Sequence, residues 1–180
     1  MAQTKKRKKF FDIEIPLINK QTQLLGYELQ DLNGRIIKYD LTRMLRGKNM
    51  IFVSKVKIDG DKAIAVSKKI QILPYFLRKM MRKGTNYIED SFSAFCKDAE
   101  VTIKPFLITR RKVSRAVRNA LRKRTKEELT NYLKDKEFEE IFDELLKGKL
   151  QKYLNIILKK IYPLSFCDIR IFEVKKEIQQ

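Results

Sequence analysis

The sequence predicts an α+β fold: an antiparallel, β-barrel-like core with helices packed on one side and a C-terminal strand. Three features of the 180-residue chain indicate this. β-type runs broken by turn signals fill residues 10–108, the apolar period lengthens to about 3.6 residues after Thr109, and alternation returns at 169–174. We expect one domain at residues 10–175, a basic disordered arm at 1–9 and a tail at 176–180.

The first half of the chain reads as strands and turns. Residues 10–15 form the first predicted strand, which ends at Pro16, and 17–33 carry turn signals. A second strand fits 35–41. The clearest local signal is Asp59-Gly60 between the β-type runs 50–58 and 61–68, which predicts a hairpin. Two more strands fit 88–96 and 101–108, where Pro105 indicates an edge position or a bulge.

Helices account for most of the remainder. Pro74 suits the first turn of a short helix that runs through Lys83 and ends at Gly84. A basic helix is expected near 110–124. Further helices fit 125–134, 137–147 and 149–161, with Gly148 as a break, before the last strand at 169–174.

The charge balance points to a polyanionic partner. Lys and Arg total 41 against 22 Asp and Glu, which gives a formal net charge of +19. Because like charges in a small volume repel one another, a nearby polyanion would relieve the repulsion. Nucleic acid is the commonest such partner and anionic membrane the second. No apolar run approaches the roughly 18 residues that span a bilayer, so no membrane partner and a cytoplasmic location are expected.

The composition argues against catalysis and metal binding. The chain has no histidine, the usual general base near neutral pH and the commonest metal ligand. Its two cysteines, Cys96 and Cys167, are too few for a structural zinc site and fit better as small buried residues than as a disulfide. No nucleophile elbow or phosphate-cradling Gly-rich loop is present. We expect no catalytic residue, no metal site and no cofactor.

The strongest candidate site is the basic helix. Arg111, Arg115, Arg118 and Arg122 recur at i, i+4, i+7 and i+11, and no acid lies between Arg110 and Arg124. On a helix this spacing stacks guanidinium groups that repel one another, and phosphates would offset that cost. The alternatives are an ordinary solvated face, which usually interleaves acids, and a membrane-binding or calmodulin-binding helix.

Two other basic segments and one acidic segment accompany it. Arg78 and Arg82 lie one helical turn apart, as do Lys79 and Lys83. The N-terminal arm fits a nuclear localisation patch, a DNA-binding tail or an arm that penetrates rRNA. The acidic segment 127–144 suits a solvated face turned away from RNA toward a basic protein neighbour better than a carboxylate metal site.

The order of several short motifs resembles one protein family. Residues 8–13 before Pro16 are similar to a Lys-Lys-Trp-Tyr opening, and 34–41 to a Gly-Arg-Val-Val stretch with following leucines. Residues 78–90 resemble an Arg-rich segment, 101–111 resemble Arg-Val-Lys-Pro and Thr-Ile-Arg-Arg pieces, and 148–150 and 161–164 resemble Gly-Lys-Leu and Ile-Tyr-Pro-Leu. Together these resemble the archaeal and eukaryotic small-subunit ribosomal protein family S-one-e, formerly S-three-a. The family's basic pair after Tyr-Pro-Leu is replaced here by Ser165 and Phe166.

The resemblance spans roughly residues 8–175 and implies a structural role in the ribosome. It implies a monomer on the platform of the small subunit, near the mRNA exit and the rRNA 3′ end, with small-subunit rRNA, platform ribosomal proteins and nearby mRNA as neighbours. The candidate rRNA-binding residues are Lys5, Lys6, Arg7, Lys8, Lys9, Arg78, Lys79, Arg82, Lys83, Arg110, Arg111, Arg115, Arg118 and Arg122.

Two other classes of function remain open on the residues alone. A stand-alone nuclease or RNA-modification enzyme would need carboxylates and magnesium beside the arginine face. A DNA-architectural protein would prefer duplex DNA to folded rRNA.

Overall fold

A computed structural model describes residues 7–60 and 62–177 and confirms the α+β class. The elements in chain order are β1 (Lys9–Ile15), β2 (Lys20–Gly26), β3 (Ile36–Asp40), β4 (Met50–Asp59), β5 (Lys62–Ile72), α1 (Pro74–Met80), β6 (Tyr87–Glu89), β7 (Phe92–Phe95), β8 (Ala99–Thr109), α2 (Arg115–Lys134), α3 (Phe138–Lys147), α4 (Lys149–Leu158) and β9 (Leu164–Glu177). Over the described residues these strands form one nine-stranded sheet that is not closed. The chain divides into two compact units.

The first unit comprises residues 1–39 and 53–68. Its β1 and β2 form an antiparallel hairpin in which Lys9 pairs with Gly26 and Ile15 with Lys20. The turn is a short 3-10 segment, Pro16–Ile18, closed by Asn19 in the left-handed region at φ 49°. β1 also runs parallel to β5, with Ile13 beside Ala63. Alternation along β1 buries Ile13 and Ile15, and this places the apolar side of the hairpin in the core.

The second unit comprises residues 40–52 and 69–180 and is centred on β8. β8 pairs with β9 along its whole length, and β7 and β6 pair with its other edge. Pro105 lies at a register shift between Lys104 and Pro105, and it falls between the stretches of β8 that pair with β7 and with β6. The predicted bulge is therefore confirmed, and it sits where the missing N–H of proline costs least.

The second unit also contains the four helices, of which α2, α3 and α4 pack as follows. α2 packs on β6 and β7, α4 packs on β9, and α3 contacts α4. Phe142 of α3 meets Phe172 of β9 edge-on, with ring centroids 4.9 Å apart, and Phe52 meets Phe142 at 6.3 Å. All three rings are fully buried, so they form the centre of this core.

Several expected elements differ in extent. α1 ends at Met80 instead of running through Lys83, and α4 ends at Leu158 instead of at 161. The single strand expected at 88–96 is the two strands β6 and β7.

Other boundaries also differ from the expectations. β2 was not predicted, because its sequence is largely polar and most of its side chains are exposed. The two helices expected at 110–124 and 125–134 are the single helix α2, which begins at Arg115. β9 begins at Leu164, five residues earlier than expected. Among the described residues, no helix is both long enough and apolar enough to cross a bilayer.

Candidate nucleic-acid interface

The buried stripe of α2 fixes which side of the helix carries arginines. Leu121, Thr125, Leu129 and Leu133 recur every four residues and are buried. Arg115, Arg118 and Arg122 fall at i, i+3 and i+7, so they share one flank of the helix beside that stripe. The Ser114 hydroxyl accepts a hydrogen bond from the backbone N–H of Val117 at 3.4 Å and caps the helix. We call these three residues the arginine row.

The charges of the arginine row are not neutralised by the described part of the chain. Arg122 donates a 3.5 Å hydrogen bond to the backbone carbonyl of Glu89, while the Glu89 carboxylate binds Arg170. Neither Arg115 nor Arg118 forms an ion pair within residues 7–60 and 62–177, and the Arg118 Nε is buried without a partner there. Ion pairing on α2 starts at Arg124, which lies 2.6 Å from Glu128. The row therefore presents positive charge that no carboxylate in the described ranges neutralises at Arg115 or Arg118.

Arg110 and Arg111 do not extend the helix as the spacing predicted. They precede the Ser114 cap, so Arg111 is not on a helical ladder with Arg115. The Thr109 hydroxyl accepts from the Asn86 N–H at 3.0 Å and donates to the Arg111 carbonyl at 2.7 Å. These bonds tie the segment that carries both arginines to the loop after α1.

This loop brings residues of two predicted basic segments together. A cleft of about 420 Å³ is lined by Lys79, Met80, Arg82, Thr85, Arg110, Ser165 and Phe166. Three of the seven side chains are cationic and none is acidic. Arg78 and Lys83 are exposed but do not line the cleft. We call this feature the basic cleft.

The described N-terminal candidates, Arg7, Lys8 and Lys9, lie in the first unit. Lys5 and Lys6 fall outside the described residues. Arg7, Lys8 and Lys9 are exposed, Lys9 starts β1, and the Lys8 Nζ lies 5.4 Å from the centroid of the Tyr27 ring. Lys9 is thus a strand residue, whereas the sequence placed it in a disordered arm.

The acidic segment uses part of its charge internally. Glu144 of α3 accepts from Lys136 at 2.5 Å and from the Tyr132 hydroxyl at 2.8 Å, and burial raises the pKa of Tyr132. Lys147 lies 2.5 Å from Asp143. Glu137, Glu139 and Glu140 are exposed. No group of three Cys, Asp or Glu side chains in the described ranges is arranged to hold a metal ion.

Comparison with known proteins identifies the family. The model of the ribosomal S3Ae family matches residues 2–177. The chain belongs to this family. It is similar to the small ribosomal subunit protein eS1 of Nanoarchaeum equitans, with 29% identity over 175 residues that cover 93% of this chain and 88% of the relative.

Two other members show how far the similarity extends. The eS1 protein of Saccharolobus islandicus (strain L.S.2.15 / Lassen #1) is 25% identical over 179 residues, covering 95% of this chain and 86% of that protein. The eS1 protein of Pyrobaculum islandicum is 31% identical over 121 residues, which are 67% of this chain and 54% of the relative. The family recognised from the short motifs is thereby confirmed.

Several residues that shape the candidate interface of this ribosomal S3Ae family member were not predicted from the sequence. Asn86 and Thr109 hold the Arg110 segment, and Ser165 and Phe166 line the basic cleft. Asn86, Ser165 and Phe166 lie far along the chain from Arg110, whereas Thr109 directly precedes it. The only signal near 165 was the replacement of the family's basic pair by Ser165 and Phe166.

Proposed function

We propose that this protein is a structural, non-catalytic constituent of the small ribosomal subunit that binds rRNA through the arginine row and the basic cleft. The observation that carries the proposal is the arginine row, where neither Arg115 nor Arg118 has a carboxylate partner among the described residues. Membership of a ribosomal protein family supplies the polyanion that this charge requires.

The finer placement follows from the family resemblance. We place the protein as a monomer on the platform of the small subunit, near the mRNA exit and the 3′ end of the rRNA. Its partners there are small-subunit rRNA and neighbouring platform proteins, with mRNA nearby, and its location is the cytoplasm. Its role is to support assembly of the subunit and translation.

The acidic face of α3 fits this placement. The exposed carboxylates of Glu139 and Glu140, with Glu137 directly before the helix, repel phosphates, so rRNA is expected on the arginine flank of α2 instead. A basic neighbouring protein is the partner of matching charge for α3.

The salt dependence of RNA binding tests the arginine row. The triple variant R115A/R118A/R122A should make the negative slope of log affinity against log salt shallower by about 2 units for an rRNA fragment, at ~0.7–0.9 per lost phosphate contact. The control removes three exposed lysines from other surfaces, K134A/K149A/K159A, with the same loss of charge. An equal fall in both variants would refute a specific role for the row.

Two further measurements separate the alternatives. The full chain should co-sediment with small ribosomal subunits through a gradient, and absence from that fraction would contradict the assignment. Stronger binding to duplex DNA than to folded rRNA at equal salt would favour a DNA-architectural protein.

A further inference from the structure

The basic cleft has a composition that a phosphate clamp alone does not need. Lys79, Arg82 and Arg110 line it with positive charge, while Met80 and Phe166 supply apolar surface. A phosphate is bound by cations and amides and gains nothing from an aromatic ring. A nucleobase does gain from one, since bases stack on aromatic side chains.

We propose that the basic cleft binds one unpaired nucleotide of rRNA, with its phosphate on the Arg82 and Arg110 side and its base against Phe166. This inference rests on the proposed function and names the form of RNA that this part of the surface accepts. An A-form helix keeps its bases stacked inside, so only an unpaired nucleotide can offer a base to the cleft.

Phe166 is held in place by other rings. It meets Phe76 of α1 at 6.3 Å and Phe106 of β8 at 6.5 Å, both edge-on, and Phe106 stacks on Tyr87 at 6.1 Å. Phe76 and Phe106 are buried, whereas Phe166 remains partly exposed. An immobilised, partly exposed ring loses little conformational entropy when a base stacks on it.

The cations of the cleft are also pre-positioned and available. The Arg82 carbonyl accepts from the Thr85 hydroxyl at 2.7 Å, which closes the turn after α1. Arg110 follows Thr109, whose hydroxyl binds the Asn86 loop. Within the described ranges, Lys79, Arg82 and Arg110 form no ion pair, so an incoming phosphate displaces no carboxylate.

A second cavity indicates the direction in which the RNA chain would continue. It measures about 180 Å³ and is lined by Gln151, Lys152, Asn155, Leu164, Ser165, Phe166 and Cys167. Ser165 and Phe166 line both cavities, so the start of β9 stands between them as a ridge. An RNA chain that crosses this ridge would leave one nucleotide in the basic cleft and direct the next phosphate toward Lys152.

Binding of a six-residue oligouridylate to the full chain tests the proposal. The variant F166L keeps apolar volume but removes the ring, and its affinity should fall at least about fivefold, the lower end of base–aromatic stacking. Y75L is the matched control, because Tyr75 is a half-exposed aromatic residue of α1 that does not line the cleft. R82A should weaken binding more than R78A, although each removes one exposed arginine near the same helix. Thermal melting of each variant checks that it is folded.

A blunt twelve-base-pair RNA duplex separates the two proposals. Duplex binding should depend on R115A and should not change in F166L. Equal hexamer affinity for F166L and the unmodified chain, with duplex binding intact, overturns the nucleotide site and leaves the proposed function standing. Loss of binding to both RNAs in the unmodified chain would overturn the proposed function as well. In assembled subunits rRNA should fill the cleft, so the hexamer should not bind there. If the hexamer does bind assembled subunits and F166L weakens that binding, rRNA is not the occupant of the cleft.

Discussion

The side chain of Asn86 accepts a hydrogen bond from the backbone N–H of Val113 at 2.8 Å, across 27 positions of sequence. The backbone of Asn86 is bound as well, because its carbonyl accepts from the Thr109 N–H at 2.9 Å. Hydrogen bonds thus join the loop after α1 to the segment before α2. The loop contains Arg82, and the segment contains Arg110 and Arg111.

Removing the Asn86 amide tests whether these hydrogen bonds position the arginines. The variant N86A should lower the free energy of unfolding by about 1 kcal/mol, the net contribution of one hydrogen bond. It should also weaken rRNA binding without a change of charge, since the segment before α2 loses an anchor. Urea unfolding and filter binding measure the two effects.

N119A is the control for this prediction, since Asn119 is an exposed amide on α2. It should leave the affinity for rRNA unchanged. If N86A loses stability and binds rRNA as tightly as the unmodified chain, the hydrogen bond is structural only.

A second prediction concerns the buried carboxylate of Asp168. It lies 2.5 Å from the Lys48 Nζ and accepts from Gln151 at 3.2 Å and from its neighbour's backbone, the Ile169 N–H, at 2.9 Å. D168A leaves the Lys48 ammonium, whose side chain is 23% exposed, without its carboxylate, and the Gln151 amide keeps only its bond to the Leu145 carbonyl, so we expect a loss of about 2–4 kcal/mol in urea unfolding.

The double variant K48M/D168A should recover part of that loss, because it removes the unpaired charge. D168A as stable as the unmodified chain would show that the pair contributes nothing. The effect is on folding, so rRNA affinity of the folded fraction should be unchanged.

Local signals predicted those elements whose causes are local. Asp59-Gly60 lies at the turn of the β4–β5 hairpin, and Gly148 ends α3 at φ 72° as the expected break before α4. Pro105 indicated the bulge. In each case the conformational preference of one or two residues decides the outcome, so a reader of the sequence can find it.

The elements that were missed depend on distant partners. β2 exists because β1 pairs with it, and its own sequence of mostly polar residues gives little sign of this. The basic cleft forms where α1, Arg110 and the start of β9 lie close together, and no residue spacing in the sequence predicts this proximity. Helical spacing did bring out Arg115, Arg118 and Arg122, although their contact with rRNA remains a prediction.

The third prediction uses the two cysteines, which are both free thiols. Burial raises the pKa of Cys96 to about 11 and the pKa of Cys167 to about 12. The thiolate is the reactive form, so N-ethylmaleimide should label the folded protein slowly at pH 8 and the urea-unfolded protein rapidly. Rapid labelling of the folded chain would contradict the raised pKa of the two thiols.

These raised pKa values determine whether stability rises or falls with pH. Between about pH 9 and these raised values, the unfolded thiols lose protons that the folded thiols retain. The contribution of the two thiols to stability is therefore fully present well below pH 9 and is lost as the pH rises from there toward the raised values. The variant C96A/C167A should show a shallower fall between pH 8.5 and 10, measured against its own value at pH 7.

The last prediction separates the stability of α2 from its binding of rRNA. Ser114 caps the helix immediately before Arg115. S114A removes the acceptor for the Val117 N–H and should cost about 1 kcal/mol of stability. S114D keeps an acceptor and adds a negative charge at the positive end of the helix dipole, so it should be at least as stable as the unmodified chain. That same charge lies beside the arginine row and repels phosphates. S114D should therefore bind rRNA more weakly than S114A although it is the more stable of the two, and the reverse order of affinities would show that the start of α2 lies away from RNA.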